Sequence, residues 1–223
     1  MMTNLFSTFD PATSMKMSMN WMSSLTSFML IPMMYWVLPN RLNSITSMVN
    51  KKLHEEFKLL LGQESKGMTL LMITMFTCIF VNNIMGLLPY IFTSSSHLVF
   101  SMTLALPLWM STMLFGWINK TNKMFTHLVP SGTPAVLMPF MVMIETISNI
   151  IRPGSLAVRL TANMIAGHLL MSLLGNNTMT VSNIIIPLIM MVQMMLMMFE
   201  TAVAVIQAYV FSVLSTLYAS EVI

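Results

Sequence analysis

The sequence predicts an all-α integral membrane protein with several transmembrane helices, one amphipathic surface helix, and two long tilted C-terminal helices forming a hairpin. Three observations predict it. Of 223 residues, 56% are hydrophobic and 8% are charged, against about 25% charged in a soluble domain. Mean hydropathy is +0.78, and apolar runs of spanning length recur along nearly the whole chain. Lipid is therefore the solvent for most side chains, a soluble fold is excluded, and residues 1–223 read as a single membrane domain.

The first apolar stretch, 20–38, is long enough to span, with Pro32 inside it and Pro39-Asn40 ending it. Over 43–61, Ile45, Val49, Leu53, Phe57 and Leu61 stand four apart with Lys51, Lys52, Glu55, Glu56 and Lys58 between them. That pattern belongs to a helix lying on the membrane surface. A turn over 62–67 leads to an antiparallel pair of spans, 68–92 and 98–118, joined by Thr93-Ser94-Ser95-Ser96-His97. Val129-Pro130-Ser131-Gly132-Thr133-Pro134 reads as a helix start, with Thr133 capping and Pro134 in the first turn. The helix it opens, 133–174, is expected to be broken at Arg152-Pro153-Gly154 and tilted. After a turn at Gly175-Asn176-Asn177-Thr178, one helical pattern covers 182–221, about 60 Å at 1.5 Å per residue. This is twice the ~30 Å hydrocarbon thickness, so the helix must tilt strongly or project from the membrane.

The net charge of +3 comes from loops. Arg41, Lys51, Lys52, Lys58, Lys66, Lys120 and Lys123 fall on one side of the predicted spans and only Lys16 on the other. The positive-inside rule then places the N-terminus outside and the C-terminus inside. A pI near 9.2 thus reports topology, and nucleic-acid binding is not indicated. Cys78 is the single cysteine, so no internal disulfide can form, and no Cys or His cluster has zinc spacing; neither cofactor nor metal is expected. The first sixteen residues carry Asp10 and lack a basic or Arg-rich leader pattern, so they do not read as a cleaved targeting segment. The thirty Met residues stand mostly where Leu or Ile would serve and read as a bias of the coding genome. No phosphate loop, catalytic triad or HExxH pattern occurs, so the chain is not expected to be an enzyme on its own. Asn82, Asn83, Trp109 and Trp117 read as packing and interfacial residues, and His54, His97 and His127 as solvated ones in or beside loops.

The informative residues are polar groups inside the last two apolar stretches: Glu145, Arg152, Arg159, Asn163, His168, Gln193, Glu200, Gln207 and Glu221. Arg159 lies mid-segment, too deep to snorkel, where a retained charge faces protein or water and takes part in ion movement. The alternative for an arginine there is a structural salt bridge to Glu145 or Glu200, and Arg152, at the expected break, fits that structural role better. Asn163 and Gly167 follow Arg159 at intervals of four and share its face, the glycine allowing another helix close. His168 is nine positions past Arg159 and points the opposite way; it suits a proton relay or a satisfied buried histidine. Gln193, Glu200 and Gln207 recur every seven residues, with Glu221 fourteen further on. That stripe supports either helix–helix hydrogen bonding or an ion path, with Glu200 and Glu221 about 31 Å apart along the axis.

The run Arg152-Pro153-Gly154-Ser155-Leu156-Ala157-Val158-Arg159-Leu160-Thr161-Ala162-Asn163-Met164-Ile165-Ala166-Gly167-His168 resembles the signature of the subunit a family of F-type ATP synthases. Asn82-Asn83-Ile84-Met85-Gly86-Leu87-Leu88-Pro89-Tyr90 and Ala204-Val205-Ile206-Gln207-Ala208-Tyr209-Val210-Phe211 extend the resemblance over essentially the whole chain. The resemblance implies a stator in the membrane Fo sector, beside a rotating ring of c subunits, passing protons through two offset half-channels for ATP synthesis. It implies that Arg159 is the essential ring-facing charge, with Asn163 beside it and Gln207 on the opposing helix. His168 and Glu200 would line the half-channel open to the intermembrane space, and Glu145 and Glu221 the one open to the matrix. Bacterial members typically have an acid where His168 stands and a histidine where Glu200 stands, so the exchange is similar to the mitochondrial arrangement, and the methionine bias agrees with an organelle-encoded, insect-like chain. The implied partners are the c-ring, other membrane and peripheral-stalk subunits, lipid and protons, and the implied location is the mitochondrial inner membrane, multi-pass. A self-contained antiporter and a structural subunit of a respiratory complex are the competing classes. The first should conduct without partners, and the second should tolerate loss of the intramembrane charges.

Overall fold

The computed structural model describes residues 5–14, 17–32, 37–62, 67–129, 134, 136–178, 182 and 184–222. Among these the chain is helical. Four helices are long and apolar enough to cross a membrane: α3 Met68–Gly86, α4 Leu98–Asn119, α6 Met138–Thr178 and α7 Ile186–Val222. Three shorter ones accompany them: α1 Thr26–Leu30, α2 Arg41–Leu61 and α5 Thr121–Leu128. The protein is an all-α membrane protein.

Residues expected to form one span, 20–38, do not form a continuous helix among those described. A 3₁₀ stretch, Met19–Leu25, runs into α1, which ends where Ile31 turns extended before Pro32; residues 33–36 lie outside the described ones. The local cause is a cluster of hydroxyls. Ser24, Thr26 and Ser27 each donate to the carbonyl three residues back, a bond that competes with the helix ladder and favours tighter turns, and Pro32 then removes a donor.

α2 buries Leu53, Phe57 and Leu61, three members of its four-residue stripe, and leaves its lysines exposed. Gly62 ends it with φ of 72°, its N–H bonded to the Lys58 carbonyl, a left-handed geometry that glycine adopts at little cost. α7 is the central element. Its fully buried positions Ala204, Ala208, Ser212, Thr216 and Ala219 are small and recur at intervals of three and four, which lets neighbouring backbones approach closely. Met72, Phe76 and Ile79 of α3 and Leu156, Ala157 and Leu160 of α6 share one core with α7, together with Ala105 and Leu108 of α4. α5, not announced by the sequence pattern, folds back so that Met124 packs over Gly116, where a Cβ would lie 2.9 Å from its sulfur.

The expected break at Arg152-Pro153-Gly154 is corrected: α6 runs without interruption from Met138 to Thr178 through Pro153. Proline costs the ladder one bond, but in lipid every freed backbone group is expensive, so the helix continues with neighbours close by. Pro153 is buried. The Thr133 cap proposed for its start lies outside the described residues. At 41 and 37 residues, α6 and α7 measure about 61 and 55 Å, far beyond the hydrocarbon thickness of about 30 Å.

Candidate functional site

α6 and α7 run antiparallel, and the residues singled out by sequence divide between two ends of that pair. At one end, Gly167 of α6 meets Glu200 of α7; a Cβ on the glycine would lie 2.7 Å from Glu200 Oε1. The absence of a side chain at residue 167 is therefore what seats the carboxyl. A cavity of about 360 Å³ opens beside it, lined by Asn163, His168, Glu200 and Gln207 among apolar neighbours. Glu200 is 7% exposed, and its two oxygens and His168 Nε2 are buried with no hydrogen-bonding partner among the described residues. Buried polar atoms need hydrogen-bonding partners, and the cavity beside these has room for several waters.

A second cavity of about 810 Å³ adjoins the first toward Ser172 of α6 and Gln193 of α7, and is lined by Asp10, Asn20, the 86–93 segment, His168, Ser172 and Gln193. His168 borders both cavities and so stands at their junction. Phe9 meets its ring edge-on, with centroids 6.3 Å apart. Buried Asn83 donates from Nδ2 to the Ala204 carbonyl at 3.4 Å, docking α3 against α7 four residues past Glu200.

At the other end, Arg152 joins both carboxylates. Its guanidinium pairs with Glu145 at 3.4 Å and in a closer contact with Glu221, and lies 4.9 Å above the Tyr218 ring. Glu145 and Glu221 are thus brought together across the helix pair by Arg152, the arginine whose position fits a structural role. Its second partner is Glu221, where Glu200 was the alternative considered.

Arg159 lies between the two groups, seven residues from Arg152 and nine from His168, about 10 and 14 Å along the axis. Leu156, Ala157, Leu160 and Thr161 around it are buried, so the core takes the opposite face of the helix and Arg159 is exposed. Among the described residues no carboxylate pairs with it. The exposed large apolar residues before it on α6 are Ile150, Ile151 and Val158. A permanent cation exposed on a helix of spanning length is costly in lipid unless it faces protein, water or an opposite charge.

A sequence profile of the ATP synthase A chain family matches residues 12–220. Over the full length of both chains, the sequence is 59% identical to ATP synthase subunit a of Locusta migratoria, 58% to that of Drosophila melanogaster and 60% to that of Aedes aegypti. The chain belongs to the ATP synthase A chain family. Membership makes it an insect-like membrane subunit that works with the other subunits of an ATP synthase in proton transport and ATP synthesis.

Two members of the arrangement escaped sequence reasoning. Phe9 and Asp10 sit in an N-terminal segment with no periodic signal, and only tertiary folding brings them to His168. His97, expected to be solvated, instead stacks on Phe92 at 5.1 Å and meets Trp21 at a tilt at 5.2 Å, with Nε2 buried. The aromatic residues flanking it in sequence and in the preceding segment were the available signal.

Proposed function

We propose that the chain is the proton-translocating stator of the mitochondrial Fo sector, forming two offset half-channels against a ring of c subunits. Arg159 is the essential ring-facing charge. Asn163 and Gln207 flank it, His168 and Glu200 line the half-channel from the intermembrane space, and Glu145 and Glu221 line the one to the matrix. The positive-inside count supports an N-terminus in the intermembrane space and a C-terminus in the matrix. The observation that carries the reading is the exposed Arg159, with no carboxylate partner among the described residues, between two polar groups at opposite ends of the α6–α7 pair.

The physical logic follows from charge in lipid. A carboxylate on the ring can enter hydrocarbon only when protonated, because an unpaired ion there is prohibitively costly. Opposite Arg159, whose guanidinium is effectively never deprotonated, the ionised carboxylate is favoured and the proton leaves. The same fixed charge repels a proton passing directly between the half-channels, so transport must go around with the ring. Each proton crossing releases about 2.3 kcal/mol per 100 mV, and rotation uses it. The chain itself makes or breaks no covalent bond in this scheme.

The test is proton flux and ATP synthesis in the assembled complex. Arg159→Ala abolishes coupled transport while assembly is retained, and Arg159→Lys does not restore it. A normal synthesis rate in either variant overturns the reading.

A further inference from the structure

Three pieces of chain wall the outer cavity: the Leu5–Phe9 turn with Asp10, the 86–93 segment, and the outer ends of α6 and α7. Asp10 is the only aspartate in the sequence, and among the described residues it is the only carboxylate lining this cavity; Glu64 lies outside those residues. Glu200 sits in the adjoining cavity, beyond His168, Glu145 and Glu221 are held by Arg152 at the far end of the helix pair, and Glu55 and Glu56 belong to α2. Asp10 is also held in place. Its Oδ1 accepts the Ala12 N–H at 3.0 Å, and its carbonyl accepts from Asn20 Nδ2 at 3.2 Å. The residue before it, Phe9, rests edge-on against the His168 ring. The titratable groups facing Asp10 are His168 from α6 and Tyr90 from the 86–93 segment, while α7 contributes the neutral Gln193. No Lys or Arg among the described residues lines the cavity; Lys16 of the same segment lies outside them.

We propose that Asp10 is the proton-collecting carboxylate at the outer mouth, feeding His168 through the cavity between them. This rests on the assignment of His168 and Glu200 to the outer half-channel. At neutral pH free protons are scarce, and supply to a narrow opening depends on how often its mouth captures one. A fixed negative charge at a cleft with low-dielectric walls raises local cation concentration and on-rates by about 10- to 1,000-fold. In the step itself, the Asp10 carboxylate takes a proton from outside water or buffer. That O–H bond then breaks as the proton passes through cavity water to an imidazole nitrogen of His168, and the carboxylate is regenerated.

The experiment uses the complete complex in sealed membrane vesicles, with ATP synthesis driven at fixed potential and the outer pH varied. Asp10→Asn keeps an oxygen for the Ala12 N–H, so the local turn survives. The expected result is a rate about three- to tenfold lower at alkaline outer pH, the modest end of such focusing, recovering to the parent value at acidic outer pH where bulk protons suffice, and restored by Asp10→Glu. Rates matching the parent at every outer pH overturn the proposal, as does a loss that is equally large at acidic pH. His168→Ala is measured in parallel: if it keeps the parent rate at every outer pH, the underlying assignment fails, whereas if it is impaired and Asp10→Asn is indistinguishable from the parent, only the collecting role fails.

Discussion

A methyl group on Gly167 is the most discriminating small change in the α6–α7 pair. In Gly167→Ala the new Cβ would lie 2.7 Å from Glu200 Oε1, 2.9 Å from its Cδ and 3.1 Å from its Cγ. Ordinary contact begins near 3.4 Å, so the oxygen must retreat from 2.7 to 3.4 Å, by about 0.7 Å. The colliding group is the far end of a flexible side chain, and moving it off its preferred rotamer costs about 0.5–1.5 kcal/mol. Replacing glycine by alanine within a helix returns about 0.5–1 kcal/mol. These effects nearly cancel, so the thermal stability of the complex should be almost unchanged. Function should not be. Proton transfer requires heavy atoms within about 2.6–3.2 Å, directly or through one water, and misplacements near 1 Å cost as much as about 100-fold in rate. The expected outcome is an approximately tenfold fall in proton-driven ATP synthesis at normal complex content. Adding Glu200→Asp shortens the acid by one methylene and should recover part of the loss, the mark of a direct clash. A full synthesis rate in Gly167→Ala refutes the argument, and so does a rate loss accompanied by an equal loss of assembled complex with no recovery in the double variant.

Two further changes test the scaffold. Ala208→Leu puts three extra carbons into a fully buried point on α7, and overpacking of that kind costs about 1–3 kcal/mol; the purified complex should melt at lower temperature, and an unchanged midpoint would show that this contact is loose. Arg152→Gln releases Glu145 and Glu221, but the three side chains are 21%, 35% and 50% exposed, so screening limits the cost to about 1 kcal/mol. The loss should be larger at low salt than at high salt, and a salt-independent melting curve would argue against an electrostatic clasp.

Much of the architecture was written in periodicity. The stripe Leu53, Phe57, Leu61 fixes which face of α2 is buried because four-residue spacing returns to the same side of a helix. The apolar runs of α3, α4, α6 and α7 are legible because lipid demands uninterrupted helix of a given length. The departures arise where local signals compete. Pro153 and Gly154 read as a break, yet a single missing donor is a smaller cost than opening backbone to hydrocarbon. The stretch around Ser23 to Ser27 has the hydropathy of a span, but its hydroxyls bond to its own carbonyls and tighten the turn. Asn163, Glu200 and Gln207 could be picked from spacing as residues of two facing stripes, and they line one cavity. The pairing of Arg152 with Glu221, 69 residues away, depends on the register between α6 and α7, which no local pattern encodes.

That register also explains why two arginines seven residues apart on one helix have different fates. The antiparallel pairing that sets Gly167 against Glu200 also sets Arg152 against Glu221, so Arg152 is neutralised within the chain. At the level between those contacts, α7 turns Ser212 and Phe211 into the core and offers no acid to Arg159. Moving Glu221 or Glu200 along α7 into reach of Arg159 would satisfy the guanidinium internally and remove any reason for it to attract a passing carboxylate. The positions of the two glutamates at opposite ends of α7 therefore matter as much for what they leave unpaired as for what they bind. A stator that must attract and release an acid on another chain needs a charge its own fold does not satisfy.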